Sequence, residues 1–85
     1  MPKLGERQPY KVRYQYPAGG PKGVITHSRP SDAGYAGRDL LARGADIRIE
    51  YAYEDGTRKT IVTREASEQA RDRYMDRMVV ARFEG

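Results

Sequence analysis

"ADIRIEYAYEDGTRKTIVT" spans residues 45–63, and its reading decides the fold. Ile47, Ile49, Tyr51 and Tyr53 alternate with Arg48, Glu50 and Ala52. A period of two over that length marks a half-buried strand with one apolar face. "EDG" (54–56) is a strong turn signal, because Gly reaches positive φ freely, and "TRKTIVT" (57–63) is a second β-rich run. A hairpin is therefore expected, and its register turns on one residue. A two-residue turn at Asp55-Gly56 sets Ile49 opposite Val62, whereas a three-residue loop with Gly56 as a bulge sets it opposite Ile61. The choice swaps which of Ile61 and Val62 faces the core.

The same alternation occurs upstream in "YKVRYQY" (10–16), with Tyr10, Val12, Tyr14 and Tyr16 on one face and Lys11, Arg13 and Gln15 on the other. "KGVITHSR" (22–29) is again β-rich. Between them lies "PAGGPKG" (17–23), whose prolines cannot donate to a ladder and whose glycines favour turns, so a hairpin loop of about five residues is expected there. The nucleotide-binding P-loop needs G-x-x-x-x-G-K-[ST] leading from a strand into a helix N-terminus. Here Gly23 follows Lys22 and a strand follows both, so the stretch reads as a bend.

Two helices complete the chain. "RPSDAGYAGRDLLARG" (29–44) has a cap candidate in Ser31 or Asp32, an apolar stripe of Ala33, Gly37, Leu40 and Leu41, and Gly44 for a left-handed C-terminal position. Gly34 and Gly37 each weaken it by about 1 kcal/mol relative to Ala, although Gly37 permits close packing on a sheet. "REASEQARDRYMDRMVVARFEG" (64–85) predicts a helix capped by Thr63 or Ser67, with Ala66, Ala70, Tyr74, Met78 and Ala81 on one side. Val79 and Val80 offer a competing strand over 78–84.

The order β-β-α-β-β-α implies an α+β fold, a two-layer sandwich of an antiparallel sheet with two helices on one face. Residues 10–85 form its single small domain, and residues 1–9 are expected to be a flexible N-terminal arm. "GYAG" (34–37) resembles the GxxG loop with which KH domains clamp a nucleic-acid backbone, and the order that follows is similar over residues 34–83. The pattern departs from that family upstream, since only Pro30–Ala33 separate Gly34 from the second strand.

Composition bounds the function. The 85 residues are 38% hydrophobic, with seven Tyr, one Phe and no Trp, so tyrosines supply most of the large core side chains. The absence of Cys excludes a disulfide framework, a thiolate zinc site and a Cys nucleophile. His27 is the only histidine and sits beside Ser28, which makes no triad, and the acidic residues follow no metal-ligand spacing. No enzyme, cofactor or metal site is expected. No apolar run approaches a membrane span, so a cytoplasmic protein is expected.

Charge carries the remaining signal. In residues 1–29 six cations face one carboxylate, Glu6, whereas the rest of the chain has ten cations against eleven carboxylates. A one-sided basic segment is the footprint of a polyanion binder. Twelve of the sixteen basic residues are Arg, a bias that genome composition alone can produce. On the first hairpin, Lys11 and Arg13 project opposite the tyrosine stripe, Lys22 stands at the loop, and His27 and Arg29 share a face of the second strand. These five residues are the candidate nucleic-acid contacts of a small non-enzymatic nucleic-acid-binding protein, with Tyr10, Tyr14 and Tyr16 able in principle to stack on unpaired bases. The rival expectation is a protein-interaction module, a small adaptor or inhibitor of the phage or mobile-element kind, that binds an acidic partner surface. A homodimer is compatible with either.

Overall fold

Alternating apolar residues on two hairpins can bury their apolar faces only if the hairpins pair and a helix covers the result. The computed structural model describes residues 7–84, and the side chains of residues 7–78. Its elements are β1 (Tyr10–Gln15), β2 (Lys22–His27), α1 (Pro30–Ala42), β3 (Asp46–Ala52), β4 (Arg58–Arg64) and α2 (Glu68–Glu84). The four strands form one antiparallel sheet in the order β2-β1-β3-β4. The expected α+β architecture is what the chain adopts, and residues 78–84 belong to the helix.

Register follows one row across the sheet. Val12 pairs with Ile25 on one side and with Ile49 on the other, and Ile49 pairs with Val62. Directly opposed residues share a face, so Val12, Ile47, Ile49 and Val62 look toward α1. Ala33 and Leu40 of α1 close the core with Ala45, and Tyr10, Tyr14 and Tyr16 flank it. Gly37 makes this approach possible, since a Cβ there would stand 2.8 Å from Ile47 Cδ1.

Both expected registers of the second hairpin occur. The turn is the three-residue loop Glu54-Asp55-Gly56, closed by the Tyr53 N–H donating to the Thr57 carbonyl at 2.8 Å, with Gly56 at φ 91°. It sets Tyr51 opposite Lys59 and Glu50 opposite Thr60. A bulge between Ile49 and Glu50 then absorbs Ile61 and restores Ile49 to Val62. Val62 therefore faces the core, and Ile61 is left 52% exposed.

The helix ends show where local chemistry departs from expectation. Neither Ser31 nor Asp32 caps α1. Arg29 holds the N-cap position in an extended conformation with no side-chain bond, and Pro30 follows as the first helical residue. Proline has its φ preset for the first helical turn and brings one fewer unpaired N–H to the helix end. At the other end Ala45 N–H reaches the Leu40 carbonyl and Gly44 N–H the Leu41 carbonyl, with Gly44 at φ 105°. This is the Schellman arrangement that the glycine position suggested. Gly34 and Gly37 lie inside α1, so "GYAG" is helix rather than a backbone-clamping loop.

Ser67 caps α2, its Oγ accepting the Ala70 N–H at 3.1 Å. The helix is fastened at its beginning. Ala66 and Ala70 are buried, and Tyr74 stacks on Tyr16 with ring centroids 4.8 Å apart. Gly44 and Gly20 make room for it, because a Cβ on Gly44 would meet the Ala70 carbonyl oxygen at 2.8 Å and one on Gly20 the Tyr74 hydroxyl at 2.6 Å. The predicted stripe does not extend as far as expected, for Met78 is 41% exposed. Ala81 lies outside the residues whose side chains are described. Of the expected arm, residues 1–6 lie outside the described residues; Pro9 accepts the Ala52 N–H and Arg7 donates to the Ala52 carbonyl.

These contacts fix three outcomes. Ile49→Ala should cost roughly 2–5 kcal/mol by emptying the centre of the core, read as a fall in melting temperature. Gly34→Ala meets nothing within 4 Å and should stabilise the helix by about 1 kcal/mol. Gly44→Ala should instead destabilise by about 2 kcal/mol, from the positive φ together with the Ala70 carbonyl, and should speed amide exchange in α2.

Candidate nucleic-acid interface

The sheet has a second face, and among the described residues no helix lies on it. Strand parity puts on it the residues between the core positions: Lys11, Arg13 and Gln15 of β1, Lys22, Val24 and Thr26 of β2, and Asp46, Arg48 and Glu50 of β3, with Arg58, Thr60 and Thr63 of β4. Five cations thus meet two carboxylates on one open surface. Adjacent strands stand about 4.8 Å apart and alternate residues about 6.7 Å apart along each strand, so the cations form a two-dimensional array rather than a line.

Glu50 organises the centre of that array. It is 7% exposed and is the buried charged residue of the described chain. Arg13 Nε donates to Glu50 Oε1 at 2.5 Å, and an Arg58 guanidinium nitrogen stands 3.9 Å from the same oxygen. The Arg13 hydrogen bond holds the Glu50 carboxyl below its ordinary range, and the charges of Arg13, Arg58 and Arg48 add to this against the opposing effect of burial. Asp46 is engaged too, accepting the Ala66 N–H at 2.9 Å and pairing with Arg71 at 3.2 Å. Among the described residues, Lys11, Lys22 and Arg48 have no carboxylate within ion-pair distance.

Of the five residues predicted from sequence, the fold brings together Lys11, Arg13 and Lys22. His27 pairs with Tyr10 and so looks toward the helix side, where its Nε2 is shielded and has no hydrogen-bond partner among the described residues. Arg29 is the N-cap of α1. Sequence reasoning missed Arg48 and Arg58, although the alternation in "IRIEYA" already set Arg48 and Glu50 opposite the aliphatic face. What was lacking was the β1–β3 pairing that places them beside Lys11 and Arg13. Charge reversal of Arg13 is not innocuous, because Arg13 neutralises a buried carboxylate and its loss would leave that charge uncompensated.

The glycine-rich loop is a turn. Gly20 N–H donates to the Pro17 carbonyl at 3.1 Å and Tyr16 N–H to the Pro21 carbonyl at 2.9 Å, with Ala18 at φ 58° and Gly19 at φ 73°. Positive φ at both central residues is the type I′ pattern, which suits the twist of a hairpin. Among the described residues no group of three or more His, Cys, Asp or Glu side chains is placed to hold a metal ion, and no helix is long and apolar enough to cross a membrane. Comparison with protein-family models, curated proteins and solved structures finds no match to this chain.

The buried ion pair makes stability pH-dependent. The Glu50 carboxyl is held below its ordinary value of 4.5 in the folded chain. Its contribution is therefore complete above that value and is lost as pH falls through the lower, folded value. A melting-temperature series from neutral to acidic pH should fall more steeply for the wild type than for Glu50→Gln, with the difference confined to the acid side.

Proposed function

We propose that the open face of the sheet binds nucleic acid through its phosphate backbone, and that the protein has no catalytic role. The observation that carries this reading is the convergence of Lys11, Arg13, Lys22, Arg48 and Arg58 on the sheet face that no helix of the described residues covers. Lysine and arginine at strand spacing can follow a polyanion, while Thr26, Thr60 and Thr63 between them offer hydroxyl donors to phosphate oxygens. Arg13 is preorganised, since its Nε is held by Glu50 and its remaining donors are left for a ligand. A face of this kind positions a backbone and does not by itself read sequence. A cytoplasmic location accords with this role.

The decisive measurement is fluorescence anisotropy with a labelled duplex and a labelled single strand across a salt series. Affinity should fall log-linearly with salt, with a slope near −0.9 per phosphate contact on duplex DNA. The double variant Lys11→Gln, Arg48→Gln spares the Arg13–Glu50 pair and should weaken binding while lowering the slope by roughly one to two. Absence of binding by the wild type to either ligand, or equal binding by the variant, would refute the nucleic-acid reading. A protein partner with a shallow salt dependence would then take its place.

A further inference from the structure

The helix side of the sheet divides its tyrosines into two groups. Tyr16 is stacked on Tyr74 at an interplanar angle of 25°, and Tyr14 packs over Gly23. Those rings are spent on the fold. At the opposite end of the sheet, over the β3–β4 hairpin, Tyr10, Tyr51 and Tyr53 line a cleft of about 450 Å³ together with Lys59, Thr60 and Ile61. Tyr10 and Tyr51 stand 5.1 Å apart at 77°, and Tyr51 and Tyr53 5.0 Å apart at 66°. These rings meet edge to face, so a flat guest can lie against a ring without parting a stack. Tyr53 is 45% exposed, and its exposed neighbour in the cleft is Ile61, which the bulge has turned out of the core.

The geometry points to a stacking site for an unpaired nucleobase in this cleft, which makes the ligand of the open face single-stranded nucleic acid. This inference rests on the nucleic-acid reading and narrows it. Charge supports it as well as shape. Lys59 pairs with Tyr51 and so belongs to the cleft side, while its neighbour Arg58 pairs with Ala52 and belongs to the open face. The two cations therefore straddle the edge strand β4. A backbone leaving the Arg48–Arg58 array can cross that edge between them and set its next base among the tyrosines. Lys59 has no carboxylate within ion-pair distance among the described residues, and the acids of the adjoining turn are engaged, Glu54 with Arg7 and Asp55 with Thr57. A duplex keeps its bases stacked within and cannot offer one to the cleft.

The test uses the full chain with a labelled oligothymidylate and a labelled duplex. Tyr53→Ala should weaken single-strand binding roughly tenfold, the usual consequence of losing one stacked base, and should leave duplex affinity nearly unchanged. Tyr53→Phe keeps the ring and should bind as the wild type does. Lys59→Gln, which removes no packed group, should weaken the single strand selectively even if Tyr53→Ala proves unstable in a thermal melt. Amide shifts at Tyr51, Tyr53 and Ile61 should appear with the single strand alone, while those at Lys11 and Arg48 should appear with both ligands. Unchanged single-strand affinity in Tyr53→Ala and Lys59→Gln, or equal loss on both ligands, would overturn the stacking site and leave the open-face reading standing. Shifts at the cleft from a proline-rich peptide and none from the oligonucleotide would overturn it as well. Failure of the wild type to bind either ligand would instead remove the reading beneath it.

Discussion

Val12 opposite Ile49 is the pairing on which the rest of the molecule depends. It joins two hairpins that are each too small to persist alone into one sheet, and it sets the parity of every other residue in that sheet. With Val12, Ile47 and Ile49 turned toward Ala33 and Leu40, the intervening Lys11, Arg13, Arg48 and Glu50 must share the opposite face. A slip of one residue would carry Arg13 or Arg48 into the core. Core formation and the clustering of cations are thus a single event, and the basic face is a consequence of the register rather than an addition to it.

That arrangement creates an electrostatic problem, and Glu50 answers it. Cations brought together by strand pairing repel one another, and the repulsion is strongest at the centre of the sheet, where solvent screens least. Glu50 lies there with Arg13 bonded to one oxygen and Arg58 close to the same atom. A buried carboxylate is costly unless it is paired and hydrogen-bonded, so each partner requires the other. Lys11, which pairs with Glu50 across the β1–β3 ladder, Arg48, which pairs with Arg13, and Lys22 on the edge strand β2 have no carboxylate within ion-pair distance among the described residues.

Much of this was legible in the residues themselves, and the limits of legibility were physical. Period-two patterning carried both hairpins, because burial of one sheet face leaves that signature. Gly44 was readable as a helix terminator, because its positive φ favours glycine, and Gly37 as a point of close approach, because a Cβ there would press on the Ile47 side chain. The faces of β2 were not legible. Val24 and Ile25 are adjacent and similar, so nothing in "KGVITHSR" says which turns inward; pairing with β1 turns Ile25 and His27 to the helix side. In the second hairpin turn geometry favours one pairing and core burial the other, and the bulge at Ile61 satisfies both. Cross-strand neighbours such as Lys11 and Arg48 lie outside any local pattern, because their proximity is a property of the β1–β3 ladder alone.

The attachment of α2 ties the first hairpin to the C-terminal half. Tyr16 ends the tyrosine stripe of β1 and stacks on Tyr74, whose hydroxyl occupies the space that a side chain on Gly20 of the hairpin loop would take. Gly44, at the end of α1, receives the Ala70 carbonyl of the same helix. One turn of α2 therefore touches the loop between β1 and β2 and the connection between α1 and β3. Both of those connections carry positive-φ residues, Ala18 and Gly19 in the first and Gly44 in the second, conformations that are held only when surrounding contacts determine them. The helix supplies those contacts from the side opposite the cations. Lys22, one residue beyond the loop, is thereby carried on a hairpin whose bend is braced from behind, so the rim of the basic face is fixed in place by aromatic packing on the other side of the sheet.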